Sequence, residues 1–165
     1  MGNEEQGLNA DRYQIIPRCL VFITRGEEVL LIKGAATKRI WANHYNGIGG
    51  HIERGEDVLT AARREVLEET GLAVNHLRIV GTLMVDASVS IGIGLFILTA
   101  EYAGGECIPS TEGDLEWHAV DSIKSLPLVA DLPELLPRCL KPDEDVFSAH
   151  SYYDESGALR VVFST

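Results

Sequence analysis

Residues 56–71, EDVLTAARREVLEETG, carry a sustained helical period in a chain that otherwise reads mostly as strand. Leu59, Ala62 and Val66 recur at spacings of three and four, which lays them along one side of a helix as its buried stripe. Gly71 gives that helix its stop, because glycine takes up the left-handed conformation that ends helices without steric cost. A helix so marked, flanked by strand-like segments, has to bury its stripe against a sheet.

The same helix holds a charge conflict. Each helical residue advances about 100°, so Glu65, Glu68 and Glu69, at i, i+3 and i+4, share one face. That face lies beside the apolar stripe, at the rim of the packed surface, where the carboxylates are partly desolvated. Three such anions repel one another, and Arg64 is expected to orient one of them without neutralising all three. A hard divalent cation resolves the conflict, since Mg²⁺ takes oxygen ligands from a few carboxylates and keeps waters for itself and for phosphates. A solvated charged face is the commoner fate of such a cluster when it stands alone.

The rest of the chain supplies a frame of strands. IIPRCLVFIT and EEVLLIKG, joined around Arg25-Gly26, read as an antiparallel pair. ATKRIWANHYNGIGG has neither period and is expected to be a loop ending in a short strand; Gly49 and Gly50 mark a tight bend or a close approach. LRIVGTLMVD, GIGLFILTAEY and LEWHAV read as strands, and DSIKSL as a helical turn. DLPELLPRCL reads as a second amphipathic helix, with Pro133 in its first turn, where proline is tolerated. The tail VFSAHSYYDESGALRVVFS reads as a hairpin turning at Asp154 to Gly157. The fold class is α+β rather than a repeating βαβ series, and neither GxGxxG nor a P-loop occurs. Residues 1–12 are predicted to form a flexible N-terminal arm and 13–165 a single domain.

Charge narrows the partners. The 165 residues hold 14 Lys and Arg against 25 Asp and Glu, a net charge of −11. This argues against a nucleic-acid polymer as partner; a small phosphorylated substrate stays open, because a bound cation inverts the local sign. No apolar run approaches the roughly 20 residues that span a bilayer, so no membrane partner is expected. The N-terminus lacks the order of a signal peptide, and Gln6 stands where a myristoylated start has Ser or Thr. Cys19, Cys107 and Cys139 form no CxxC and are read as reduced thiols of a cytoplasmic protein.

Upstream residues change the odds for the carboxylate face. Gly50 is followed by five residues, Glu56, seven residues, then Arg64-Glu65-Val66-x-Glu68-Glu69-x-Gly71-Leu72. This resembles the signature box of the Nudix hydrolases at all nine specified positions, over 23 of the 165 residues. The resemblance implies an α/β/α sandwich, with a mixed sheet between helices and the box as a loop–helix–loop. It also implies hydrolysis of a nucleoside diphosphate linked to another moiety, X, dependent on Mg²⁺ or Mn²⁺. By the same resemblance Gly49 offers its carbonyl to the metal and Glu65, Glu68 and Glu69 bind one to three ions. Glu69 also activates water, Arg64 holds the glutamates, Gly50, Gly55 and Gly71 shape the loops, and Glu56 anchors the first loop to the helix. Glu112 matches a distal acidic ligand, with Asp114 and Glu116 as rivals. The underlying chemistry is general: metals neutralise phosphate oxygens and acidify water, and a nearby carboxylate acts as base.

Markers outside the box bear on X. The proline of ADP-ribose pyrophosphatases is missing from LMVDASVSIG, Val89 stands where dinucleoside polyphosphate hydrolases carry tyrosine, and the coenzyme A and NADH motifs are absent. The remainder looks most like the MutT-type group, which converts nucleoside triphosphates to monophosphate and pyrophosphate. YNGIGGHIE resembles WNG-x-GGK of the oxidised-purine triphosphatases, which puts Asn46 at a base-contacting position; it is equally a turn residue beside Gly47. Lys33 is a candidate phosphate contact. The stacking Trp and acidic pair of those enzymes are replaced here by Leu132 and Glu134-Leu135, so Glu134 is the one carboxylate left in that row and 8-oxo-purine selectivity is not implied. Trp41 and Tyr45 could stack on a base, with packing favoured. His51 is expected to be exposed, and His44, His76, His118 and His150 form no metal pair. The alternatives are an ADP-ribose, nucleotide-sugar or dinucleotide pyrophosphatase and, from another class, a non-catalytic nucleotide sensor, which typically loses box carboxylates. Homodimers are common in the family, though no residue here compels one.

Overall fold

The computed structural model describes residues 4–141 and 145–164. Residues 1–3 of the expected arm lie outside the described residues; Glu4–Gln6 form a short 3₁₀ turn. The strands are β1 (Gln14–Arg25), β2 (Glu28–Gly34), β3 (Tyr45–Asn46), β4 (Ile48–His51), β5 (Ala73–Val85), β6 (Ile91–Gly104), β7 (Gly113–Ala119), β8 (Phe147–Tyr153) and β9 (Leu159–Phe163). The helices are α1 (Val58–Thr70) and α2 (Leu132–Cys139), with a 3₁₀ segment at Val120–Ser125.

All the strands belong to one mixed sheet, ordered β3-β2-β1-β6-β5-β8-β9, with β4 also on β1 and β7 on β2. β1 runs parallel to β6 over its length, from Gln14 against Ile91 to Thr24 against Glu101. The expected β1–β2 pair is antiparallel but short, from Ile23 against Leu30 to Arg25 against Glu28. Beyond it the strands diverge, and β4 takes over the β1 edge from Val21 against Ile48 to Arg18 against His51. Gly49 makes that approach possible, because a Cβ there would run into the Cys19 carbonyl oxygen.

Strand alternation divides the interior in two. Successive side chains point to opposite faces, so Cys19, Val21 and Ile23 of β1 join Leu30, Ile32 and Ile48 against Ala61, Ala62 and Val66 of α1. Leu20 and Phe22 point the other way, joining Val29 and Leu31 against Leu132, Leu135, Leu136 and Cys139 of α2. The sheet therefore lies between the two helices, as the resemblance implied. Each fully buried aliphatic side chain contributes roughly 1.5–3 kcal/mol relative to exposure.

The box helix starts later than its periodicity suggested. Asp57 is the N-cap, its Oδ1 accepting from the Leu59 and Thr60 amides at 2.9 and 3.0 Å, which leaves Glu56 in the preceding loop. The buried face is Ala61, Ala62, Val66 and Thr70, with Leu59 only half-buried. Gly71 ends the helix at φ 71° and donates its amide to the Leu67 carbonyl. In α2, Pro133 lies in the first turn and a second proline, Pro137, lies inside the helix. The C-terminal hairpin turns where expected: Asp154 accepts from the Ser156 and Ala158 amides and pairs with Arg160 at 2.7 Å.

Candidate active site

Arg64 organises the acidic end of α1. Its Nε and Nη2 donate to the two carboxylate oxygens of Glu56 at 2.6 and 2.9 Å. Nη2 also donates to the His51 carbonyl at 3.0 Å, which ties β4 to the helix. Nη1 donates to Glu65 at 2.8 Å and to Glu68 at 3.2 Å. The expectation that Arg64 orients one carboxylate is thus too small: it holds three, because Glu56 outside the helix and Glu65 and Glu68 on it all come within reach of one planar fork. The hydrogen bonds from Arg64, then the Glu53 amide, hold the Glu56 carboxyl down at about 2.

The three helix carboxylates differ in setting. The Glu65 side chain is 13% exposed and Glu68 is 59% exposed. Gly50 gives Glu65 its room, since a Cβ there would run into the Glu65 carboxylate. Glu69 is pushed up to about 7, first by burial and then by the charges of Glu65 and Glu112, against the Gly49 amide and Lys38, which pull it down. Glu112 arrives from the loop before β7 and pairs with Lys38. Its rivals line neither lobe of the groove that Glu112 borders: Glu116 accepts from Tyr45 Oη at 2.7 Å and lies 3.0 Å from His118 Nε2, and Asp114 is exposed on β7.

Glu69, Glu112 and Lys38 border a groove with two lobes. The smaller, about 140 Å³, is lined by Lys38, Trp41, Asn46, Gly49, Glu69 and Glu112 among others. The larger, about 380 Å³, is lined by Arg18, Trp41, Asn46, Asp131, Ser151 and Tyr153 and by the apolar side chains of Val85, Ile93, Leu95 and Leu159. Trp41, Asn46, Gly47, Gly49 and Val129 line both lobes and form the seam between them. Asn46 Oδ1 accepts from the Gly47 amide at 2.8 Å, so it serves the turn while also lining the groove. Lys33 and Glu134 line neither lobe: Lys33 Nζ lies 5.8 Å from the centroid of the Tyr45 ring, and Glu134 is exposed on α2. Gly55, at φ 90°, and Gly71 shape the loops at either end of α1.

Several groove residues had no usable signal in the sequence. Lys38 sits in an aperiodic loop. Asp131 reads as an ordinary helix start, yet burial pushes its carboxyl up, only partly offset by its own amide and that of Leu132. Arg18 lies on a strand and donates Nε to His51 Nε2 at 3.2 Å. Packing, favoured for both aromatics, describes Tyr45, which is 6% exposed; Trp41 is 42% exposed.

The donor set can be tested against the implied metal. Among the described residues no three His, Cys, Asp or Glu side chains already converge as a cage. Glu65, Glu68, Glu69 and Glu112 are nevertheless hard oxygen donors, and Glu69 stands within the repulsive field of Glu65 and Glu112, offset only in part by the Gly49 amide and Lys38. That chemistry fits a hard divalent cation drawing them together. No helix among the described residues is long and apolar enough to cross a membrane, and Cys19, Cys107 and Cys139 are unpaired.

Comparison with known proteins gives a consistent frame. The sequence pattern of the NUDIX domain matches residues 14–139. Curated relatives include the NAD-capped RNA hydrolases NudC of Pseudomonas syringae pv. tomato, 32% identical, and of Pseudomonas fluorescens, 35% identical, each over 116 residues. Those alignments cover 69% of this chain and 40% of each relative, so the chain spans well under half of their length. Among solved structures, the mutator MutT protein of Bacillus halodurans superposes with a TM-score of 0.75 at 21% identity, covering 91% of this chain and 98% of that one. An ADP-ribose pyrophosphatase of Streptococcus suis superposes with a TM-score of 0.62 at 20% identity, covering 79% and 96%. Likeness at this identity speaks for the fold.

Proposed function

From the premise that this chain belongs to the NUDIX domain family, a family of hydrolases, we propose that it cleaves the phosphoanhydride of a nucleoside diphosphate linked to X. The preferred substrate on this reading is a nucleoside triphosphate, giving monophosphate and pyrophosphate. The observation that carries it is the placing of Glu69 on α1 within reach of the charges of Glu65 and of Glu112 from a distant loop, with Glu69 and Glu112 lining one lobe of a groove whose second lobe is walled in part by apolar side chains.

Glu65, Glu68, Glu69 and Glu112 would hold the divalent cation, Mg²⁺ or Mn²⁺, with the Gly49 carbonyl as a further donor. Bound there, it would supply charge neutralisation of the phosphate oxygens and acidification of water. The remaining work falls to this chain's own groups. Arg64 keeps Glu65 and Glu68 in register with the loop that carries Gly50. Glu69, lining the smaller lobe, accepts the proton as the water oxygen attacks phosphorus and the bridging P–O bond breaks. Lys38 lines the same lobe as Glu69 and pairs with Glu112 there, and its ammonium would be available to a phosphate oxygen if Glu112 served as a metal donor. Asn46 keeps its NH₂ group available to a base edge.

A second reading has one observation in its favour: the relatives matched at 32–35% identity are named for hydrolysis of NAD-capped RNA, which makes an NAD-type dinucleotide the main competitor. The charge of −11 weighs against a polymer footprint on this chain. Residues 13–165 are read as one catalytic unit, because Ser151, Tyr153 and Leu159, beyond the family match, line the larger lobe. The unpaired cysteines accord with a cytoplasmic setting. The test is product analysis with NTPs, oxidised dNTPs, ADP-ribose, nucleotide sugars and NAD(H), with and without Mg²⁺ or Mn²⁺. Metal-dependent pyrophosphate release from triphosphates is expected. Preference for NAD(H) would replace this reading with the second, and no turnover on the whole panel would remove both.

A further inference from the structure

Trp41 stands at the seam of the two lobes, in a backbone conformation that bulky residues avoid. Its φ is 62°, and Asn43 in the same loop has φ 59°. Asparagine tolerates the left-handed region through its short polar side chain, whereas for a bulky residue such a φ is a genuine outlier. Glycine would serve the turn at Trp41 at lower cost, so the indole is kept there against the preference of the backbone. Strain of this kind is found where surrounding structure holds a side chain for use.

The surroundings fit such a use. The Trp41 carbonyl accepts from the His44 amide at 3.1 Å, and the His44 ring meets the indole edge-on at a centroid distance of 5.6 Å. His44 is itself held by a 2.8 Å contact between Nδ1 and the Ala42 carbonyl. Gly34 lies so close to the Trp41 carbonyl that a Cβ there would meet it at 2.7 Å, which fixes the loop against β2. The indole remains 42% exposed and borders both the lobe holding Lys38, Glu69 and Glu112 and the lobe walled by Val85, Ile93, Leu95 and Leu159. A planar ring in the apolar lobe, joined to phosphates in the acidic lobe, has to pass this seam.

We infer that Trp41 is the stacking platform for the heteroaromatic base of the substrate, a specificity-determining role that rests on the nucleotide-hydrolase reading above. Trp41 then supplies from the loop before β3 the aromatic surface that Leu132 does not offer from α2.

The chain has two tryptophans. Trp117 packs under Arg25 at 4.1 Å and against Tyr102 and lines neither lobe, so Trp117→Phe leaves Trp41 as the sole indole reporter. In that variant, with Mg²⁺ present, titration with the non-hydrolysable α,β-methylene analogues of ATP, GTP, CTP and UTP is expected to quench the emission by more than half for at least one of them. Inorganic tripolyphosphate should leave it unchanged. In the otherwise native chain, Trp41→Ala should raise KM about tenfold, with kcat within threefold, and Trp41→Phe should restore most of the loss. Binding of an analogue by equilibrium dialysis without quenching, or equal quenching by tripolyphosphate, overturns the inference and leaves the hydrolase reading standing. Quenching without turnover of the parent nucleotides does the reverse, and no binding by any analogue overturns both.

Discussion

Arg64 and Glu56, eight residues apart, meet through two parallel hydrogen bonds of 2.6 and 2.9 Å, and this pair fastens the loop after β4 to the flank of α1. Because the same guanidinium also reaches Glu65, Glu68 and the His51 carbonyl, the loop and the carboxylate face cannot be set independently.

Arg64→Lys should therefore be costly although charge is kept. A lysine ammonium is a point charge and cannot serve three carboxylates and a carbonyl from one planar fork. A fall in kcat/KM of about 10- to 100-fold is expected, as for loss of groups that orient metal ligands, with near-UV circular dichroism unchanged. Full activity would show that the clamp has no role in the reaction.

The pH dependence of stability carries the mark of Glu56. Its carboxyl is held at about 2 against an ordinary value of 4.5, through Arg64 first and the Glu53 amide second. A depressed carboxyl contributes stability that is complete above about 4.5 and is lost as pH falls toward 2. Thermal melts from pH 6 to pH 2.5 should decline less steeply for Glu56→Gln than for the native chain, from a lower starting Tm. Identical slopes would count against the pairing.

Glu69→Gln should lower kcat by about 10²- to 10⁴-fold, the range for loss of a general base, while the amide preserves size and fold. Turnover within a few-fold of native would remove Glu69 from the proton-accepting role.

Gly50→Ala probes the space in which Glu65 sits. The added methyl would collide with the Glu65 carboxylate and has to displace it. Calorimetric uptake of Mn²⁺ in the presence of a nucleotide analogue should weaken about tenfold or more, in the range for disturbing the groups that orient metal ligands. Undiminished uptake would show that Glu65 is not a ligand.

Leu135→Ala tests the other face of the sheet. Leu135 is fully buried against the core under α2, so a loss of about 2–5 kcal/mol in urea unfolding is expected. A loss under 1 kcal/mol would mean that α2 is only loosely seated.

What could be read in advance follows from what each signal encodes. The stripe of α1, the hairpin at Asp154 and the apolar run of β1 are local signals, and the structure keeps them with small shifts, such as the N-cap at Asp57 that excludes Glu56 from the helix. The register of the sheet was not legible, because the handover of β1 from β2 to β4 depends on contacts between segments far apart in sequence. At the candidate site, box residues such as Glu65 were singled out by their helical spacing and by the resemblance of the whole box, whereas Lys38, Asp131 and Arg18 reach the groove through tertiary placement. Lys33, singled out as the residue closing a strand, and Glu134, singled out by analogy, line neither lobe for the same reason.

Because neighbouring residues from Cys19 to Ile23 serve opposite helices, deleting a single residue from that run would trade the two interiors and leave neither filled. The segment between β2 and β3 answers to no such alternation, so its length and side chains can be altered while the sheet stays in register. On the stacking role inferred for Trp41, ligand preference would be re-engineered there, with the scaffold left as it is.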